Sequence, residues 1–462
     1  MATNPQELPS RVLETLAVCP QFRILLVGKS GVGKSSLVSA IFNISINDID
    51  IAHNRAGEAD INREYTSQDN PRFVLHDSKG FEPGSEKTWD LVKKFVSDRC
   101  SSDRPLKERV HIIWLCLETP RTGSRLVQTG DVELLKLAQK FEVPVIVVFT
   151  KYDLLVDEMS VELEETVDDD ERLEEMAEEN AASTFEKRIH ECGDVDFSSN
   201  EYVKVSTDKR YKDPNHRLKM LRTLTDVTRK RLHDVEGNLL VPWATAQQIN
   251  AQQKVNYSID EGFKKYWIDL GTSTFFEGQV LWNCISRIHR DILEVWNFND
   301  PDKLLLGEQF CAEMVKLVEP LLRQPDPKSG DQLSQLSSLV SIGGTVAATF
   351  GQILGAAGIA TIVIKFLYGK FQRSPFTALC LGAYIVDCTL ILHNLFLETL
   401  LMEPPRPVSW ELIRDTLENY KTSDASRTHG LVRDIVFDRV SLHPEAKIAD
   451  LIRKELKMAQ IG

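Results

Sequence analysis

The run Gly28-Lys29-Ser30-Gly31-Val32-Gly33-Lys34-Ser35 constrains the fold of this 462-residue chain more than any other segment. It follows an apolar stretch, Arg23 to Val27, and opens an amphipathic one, Ser35 to Phe42, so it demands a strand, a tight loop and a helix in that order. Glycines at 28, 31 and 33 let backbone N–H groups turn inward around phosphate oxygens, and the helix start adds the positive end of its dipole. Lys34 supplies a point charge for β- and γ-phosphates, and the Ser35 hydroxyl suits Mg²⁺. Lys29, Ser30, Gly31, Val32, Gly33 and Ser36 complete the candidate cradle.

From Gln21 to about Gly237 short apolar runs alternate with amphipathic stretches, the pattern of an α/β fold whose sheet is covered by helices. Six strands are expected: Arg23 to Val27, a weak one near Ala59 to Thr66, Arg72 to His76, Val110 to Leu117, Val143 to Phe149 and Tyr202 to Val205. Several are nearly continuous in Val, Ile, Leu and Phe, as strands buried on both faces are. After Pro242 the pattern turns to helix only, with Trp267, Trp282 and Trp296 among its core aromatics. The expected division is an extension over 1–20, an α/β domain over 21–237 with an acidic helical insertion over 157–190, a helical domain over 238–330, an apolar hairpin over 331–404 and closing helices over 405–462.

A phosphate loop does not choose a base. Thr150-Lys151-Tyr152-Asp153, at the end of the fifth expected strand, can: its carboxylate accepts from the N1–H and 2-amino group of guanine, neither of which adenine offers. Bonds to a charged group are worth about 1.5–3 kcal/mol each, enough for a guanine preference. Lys151 would lay its stem on the ring. Between the two motifs stands Asp77-Ser78-Lys79-Gly80, where Asp77 is placed to hold Mg²⁺ through water and the Gly80 N–H to meet the γ-phosphate. The candidate catalytic residues are thus Lys34, Asp77 and Gly80. Ser206 and Thr207, after the last strand, offer backbone N–H groups to the guanine O6, and His76 reads as a strand residue.

With these motifs in this order, 21–237 resembles the TRAFAC class of P-loop GTPases, with Era-like, septin-like and dynamin-like members nearest in shape. The resemblance covers about half the chain. It implies a six-stranded, mostly parallel sheet, hydrolysis of GTP to GDP with Mg²⁺, two switch loops, and dimerisation across the nucleotide face. The run His76 to Glu82, with Tyr266-Trp267 and Val295 to Phe298, looks like a group of fungal GTPases with a helical C-terminal region. Three departures bear on chemistry. Phe81 follows Gly80 where Ras-like members orient water with Gln, which implies slow intrinsic turnover. Thr66 is the sole threonine offered as a switch I ligand for Mg²⁺. Gly31 replaces the Asn of potassium-activated relatives, which leaves Arg55, Arg63, Arg121 and Arg125 as stand-ins, each reading first as a surface residue.

Of the formal net charge of −13, −12 comes from Asp157 to Asn180, where thirteen carboxylates face Arg172 alone. The remainder is balanced, and the densest basic cluster is only Arg229-Lys230-Arg231, so nucleic acid is not an expected partner. Eight cysteines without paired spacing, and an N-terminus lacking a basic-then-apolar run, point to the cytoplasm or its membranes. No charge interrupts Gln332 to Ile364, long enough to cross a bilayer, and Gly343, Ala347, Gly351 and Gly355 give it a small-residue face. The second apolar stretch, Phe376 to Met402, carries Asp387, Asn394 and Glu398 on one helical face. Two readings stand open: a soluble packed hairpin, which those carboxylates favour, and membrane contact through 332–402, which the first arm favours.

Overall fold

The computed structural model describes residues 10–45, 61–77, 86–121, 126–164, 167, 169–191, 201–208, 214–235, 239–259, 280–322, 375–400, 402, 406–437 and 444–459. The chain divides into two compact units, Thr15–Asn250 and Met1–Glu14 with Ala251–Gly462. The division falls within the first helix, α1 (Arg11–Val18).

The first unit is built on a parallel sheet of five strands, β1 (Phe22–Val27), β2 (Phe73–Asp77), β3 (Ile112–Glu118), β4 (Val145–Thr150) and β5 (Tyr202–Lys204), in the order β2-β1-β3-β4-β5. Every residue of β1 and β2 is buried, which is why these strands are mostly apolar, with Arg23, His76 and Asp77 as the polar exceptions. Around the sheet come α2 (Lys34–Phe42), α3 (Glu86–Arg99), α4 (Thr129–Lys140), α5 (Asp153–Leu163), α6 (Asp170–His190), α7 (Pro214–Val235) and α8 (Leu240–Ala246). Because all four pairings are parallel, all five C-terminal strand ends share one edge. The order reverses at β1, whose neighbours are β2 and β3, and crevices open at such a switch point.

Among the described residues five of the six expected strands form. Of the weak second strand, 59 and 60 lie outside the described residues, and 61–66 supply only one antiparallel bridge, Tyr65 with Leu75. The physical reason is the exposed run Asn62-Arg63-Glu64, which has no buried face to alternate with. The unit also continues past Gly237 to Asn250. Trp243 is fully buried, 5.0 Å centroid to centroid from Phe22 and 6.3 Å from Trp114, so α8 closes the core on which Phe42 and Phe73 stack.

The acidic insertion folds as α5 and α6. One face of α6 buries Ala177, Ala181, Phe185 and Ile189, spaced by four, and Phe185 meets Phe149 of β4 edge-on at 5.3 Å. Asp169 caps its start by accepting from the Arg172 N–H at 2.8 Å. Asp170 and Glu171 then lie at its positive end, with Lys187, Arg188 and His190 at its negative end, so the dipole tolerates the charge run.

In the second unit α12 (Pro375–Leu400) is central, surrounded by α9 (Ala251–Tyr257), α10 (Val280–Trp296), α11 (Glu308–Leu322), α13 (Trp410–Ser423), α14 (Ala425–Phe437) and α15 (Pro444–Ala459). Within it, Leu381–Leu400 is long and apolar enough to cross a membrane, and 83 % of its most apolar window is buried in the unit. Asp387, midway along it, accepts from the Tyr420 hydroxyl at 2.7 Å and pairs with His429 Nε2 at 2.8 Å. Burial raises this carboxyl above its ordinary range, while His429 and Tyr420 pull it back. His289 is fully enclosed: Nε2 donates to the Leu305 carbonyl at 3.0 Å, so Nδ1 accepts from the Tyr384 hydroxyl at 3.0 Å. The first expected arm of the hairpin, Gln332 to Ile364, lies outside the described residues, as do Tyr266 and Trp267.

Candidate nucleotide site

The loop after β1 is shaped by close approach. A Cβ on Gly28 would stand 2.4 Å from the Cys116 carbonyl of β3, so only glycine lets β1 leave the sheet there. Gly33, with φ of 99°, lies in the left-handed region and caps α2. Lys29, Ser30 and Gly31 are exposed, Val32 is buried, and Ser35 and Ser36 are half-buried in the first turn of α2. Lys34 is buried and folds back over the loop, donating from Nζ to the Gly28 carbonyl at 2.7 Å and the Lys29 carbonyl at 3.0 Å. Its ammonium is therefore held inside the curve of backbone that a phosphate chain would follow.

The segment Thr150-Lys151-Tyr152-Asp153 is tied to this loop directly. Thr150 ends β4, and its hydroxyl lies 2.6 Å from the Val32 carbonyl and 3.1 Å from that of Leu117. Lys151 adopts a left-handed φ of 57° and reaches Glu118 at 3.6 Å. Asp153 opens α5, is 8 % exposed, and accepts from the Ser206 hydroxyl at 2.5 Å through Oδ1. Ser206 is fully buried and Thr207 half-buried beside it. Ser206 thus meets the site through its side chain, a contact that the expected backbone role did not include.

Asp77, the candidate Mg²⁺ residue, ends β2 in register with Leu26 and is 6 % exposed. Cys116 of β3 feels the charges of both Lys34 and Asp77, which follow β1 and end β2 on either side of the switch point. Burial, the larger effect, pushes that thiol up to about 12. His76 is packed in the core, 5.0 Å from the Phe95 ring, and burial with the nearby Arg23 charge lowers it to about 4. Thr66 is not brought to this group. The bridge runs antiparallel, so Thr66 follows Tyr65 toward the start of β2, away from Asp77, and is exposed. Gly80 and Phe81 lie outside the described residues, with Arg55 and Arg125. Arg63 stacks over Tyr65 at 5.4 Å and Arg121 pairs with Glu118 at 3.0 Å, so both are occupied at the surface.

Residues 23–151 match the family described as "50S ribosome-binding GTPase". This region is a P-loop GTPase domain. Among curated proteins the chain is similar to GTPase Der of Deinococcus deserti, 31 % identical over 155 residues, or 33 % of this chain and 31 % of that protein. It therefore spans about a third of that relative's length. A solved structure of the bacterial selenocysteine-specific elongation factor EF-Sec aligns with 47 % of this chain and 29 % of its own, at 20 % identity and a TM-score of 0.24. Residues 304–458, within the helical unit, match a family described as a domain of unknown function. The GTPase match spans the phosphate loop, Asp77 and Thr150-Lys151, and stops short of Asp153 and Ser206.

Three further residues adjoin the Thr150 to Asp153 segment of the P-loop GTPase domain, and motif reasoning missed them. Tyr152 is fully buried and accepts from Lys204 Nζ at 2.8 Å, and after burial the charge of Glu178 on α6 is the next effect raising its phenol. No spacing rule could have found this set, since Tyr152 and Lys204 are 52 residues apart.

Proposed function

We propose that the chain binds Mg²⁺-GTP and hydrolyses it slowly to GDP and phosphate, the nucleotide state acting as a conformational switch. The observation that carries this reading is the Thr150 hydroxyl on the Val32 carbonyl, which joins a phosphate loop and a guanine-reading element at one sheet edge. The donor set fits the ligand. Gly28 and Gly33 keep the loop open, Lys34 points its ammonium into the curve, and a carboxylate, Asp77, ends the strand that pairs with β1. When bound, Mg²⁺ would offset charge on the phosphates, with Ser35 and Asp77 as the residues to hold it. Lys34 would exchange its two loop carbonyls for phosphate oxygens, and Asp153 would take the N1–H and 2-amino group of guanine while Ser206 fixes its orientation. Purified chain should bind GTP and GDP well above ATP and release phosphate over multiple turnovers, and Lys34→Ala should abolish both. Equal affinity for GTP and ATP would overturn the reading.

A second reading, a GTP-loaded scaffold that barely hydrolyses, is favoured by Phe81 after Gly80 in the sequence. Turnover assays separate the two. A reducing, cytoplasmic setting is part of this proposal and rests on the eight cysteines without paired spacing in the sequence. For membrane contact through 332–402 the described residues supply α12, whose buried face and partnered Asp387 favour the soluble reading. Dimerisation across the nucleotide face rests on resemblance, and sedimentation with and without a GTP analogue tests it.

A further inference from the structure

We propose that Lys204, Tyr152 and Glu178 form a clamp that positions Asp153, so that the acidic helix α6, and not the sheet alone, sets how strictly guanine is read. This rests on the guanine-binding reading above and adds to it which residues enforce the selectivity.

The need for a clamp comes from the backbone. Lys151 sits at φ 57°, a region costing a non-glycine residue about 1–2 kcal/mol, so the turn between β4 and α5 keeps its shape only if both flanks are held. One flank is held by the Thr150 hydroxyl on Val32 and Leu117. The other is Tyr152, one peptide before Asp153. Its N–H donates to the Val205 carbonyl at 3.2 Å, and its ring lies 6.1 Å from Phe185 of α6. The phenol oxygen accepts from Lys204 Nζ at 2.8 Å while that ammonium stands 4.0 Å from the ring centroid, and the Glu178 carboxylate of α6 acts on both groups through its charge.

A hydroxyl held by an ammonium beside a carboxylate's charge has one favourable orientation, because turning away breaks the charge-assisted bond. The chain of contacts then continues outward, since Glu178 also faces His216 Nε2 of α7 at 3.4 Å. Asp153 has to meet two donors on one edge of the base, and sites of this kind fail when a supporting residue is loose by about an ångström. Tyr152, Glu178 and Lys204 all lie beyond residues 23–151, so the family match assigns none of them.

The test uses the full chain and three nucleotides: GTP, GDP, and inosine triphosphate, which keeps N1–H and lacks the 2-amino group. Wild type should prefer GTP over the inosine analogue. Tyr152→Phe and Lys204→Met should each narrow that preference by about tenfold while leaving the GTP-to-GDP ratio unchanged. Glu178→Gln should act in the same direction, and Lys204→Arg should restore most of the preference. Thermal unfolding of each variant accompanies the titrations. Variants that keep the wild-type preference overturn the clamp. So do variants that weaken all three nucleotides equally alongside a lowered melting temperature, because that pattern is loss of packing alone. A wild-type chain with no preference over the inosine analogue or ATP refutes guanine reading itself, which is a different failure.

Discussion

At residue scale the nucleotide site is set by contacts that tolerate almost no substitution. Gly28 is the sharpest case, because the atom a Cβ would meet is backbone, which has nowhere to rotate. Gly28→Ala is expected to destabilise the first unit by about 1–3 kcal/mol and to abolish GTP binding, read by urea titration and by nucleotide binding. Thr150 makes a subtler point. A hydroxyl has one proton, and here two carbonyls, Val32 and Leu117, compete for it. Thr150→Val keeps the shape and removes that proton, so GTP affinity should fall about tenfold with little change in melting temperature; an unchanged affinity would show the tether is dispensable.

At the scale of elements, α6 shows how a segment that looks solvated becomes structural. Its thirteen-carboxylate neighbourhood reads as a surface feature, yet four apolar residues at helical spacing are buried on one face, with Phe185 against β4. Phe185→Ala should cost about 3–5 kcal/mol of first-unit stability, whereas Asp169→Ala at the helix start should cost about 1 kcal/mol, both by denaturant titration. The phosphate loop, Asp77 and Thr150 to Asp153 were legible beforehand because each motif is contiguous and fixed to a strand end. The expected strand over 59–66 failed because Tyr65 pairs alone, its neighbours having no apolar alternation to bury. Nor could the sequence show what covers Asp387: its partners Tyr420 and His429 come from α13 and α14, 33 and 42 residues on, so a helix of membrane-like composition gave no sign of its polar neighbours. The roles of Tyr152, Lys204 and the Ser206 hydroxyl were hidden for the same reason.

Over the whole molecule, both units carry histidines kept neutral by burial. His76 and His111 in the first and His289 in the second are each lowered to about 4 from an ordinary value near 6.5. His111 shows why: Nδ1 accepts from the Arg23 N–H at 2.9 Å while Nε2 is 2.9 Å from the Leu106 carbonyl, leaving no place for a second proton. A depressed value means that the unfolded chain binds protons first. Stability from these groups is thus complete above about pH 6.5 and is lost as pH falls toward 4, on the order of 1–3 kcal/mol per histidine. Urea titrations at pH 7, 6, 5 and 4 should show this decline, flattened in His111→Gln, and a level profile would contradict it. The parallel sheet has one more consequence. Since every reading loop leaves from the same rim, the opposite rim is open to engineering, and a fluorophore grafted at the exposed Ser102-Asp103 turn before β3 would report on the molecule without obstructing its ligand.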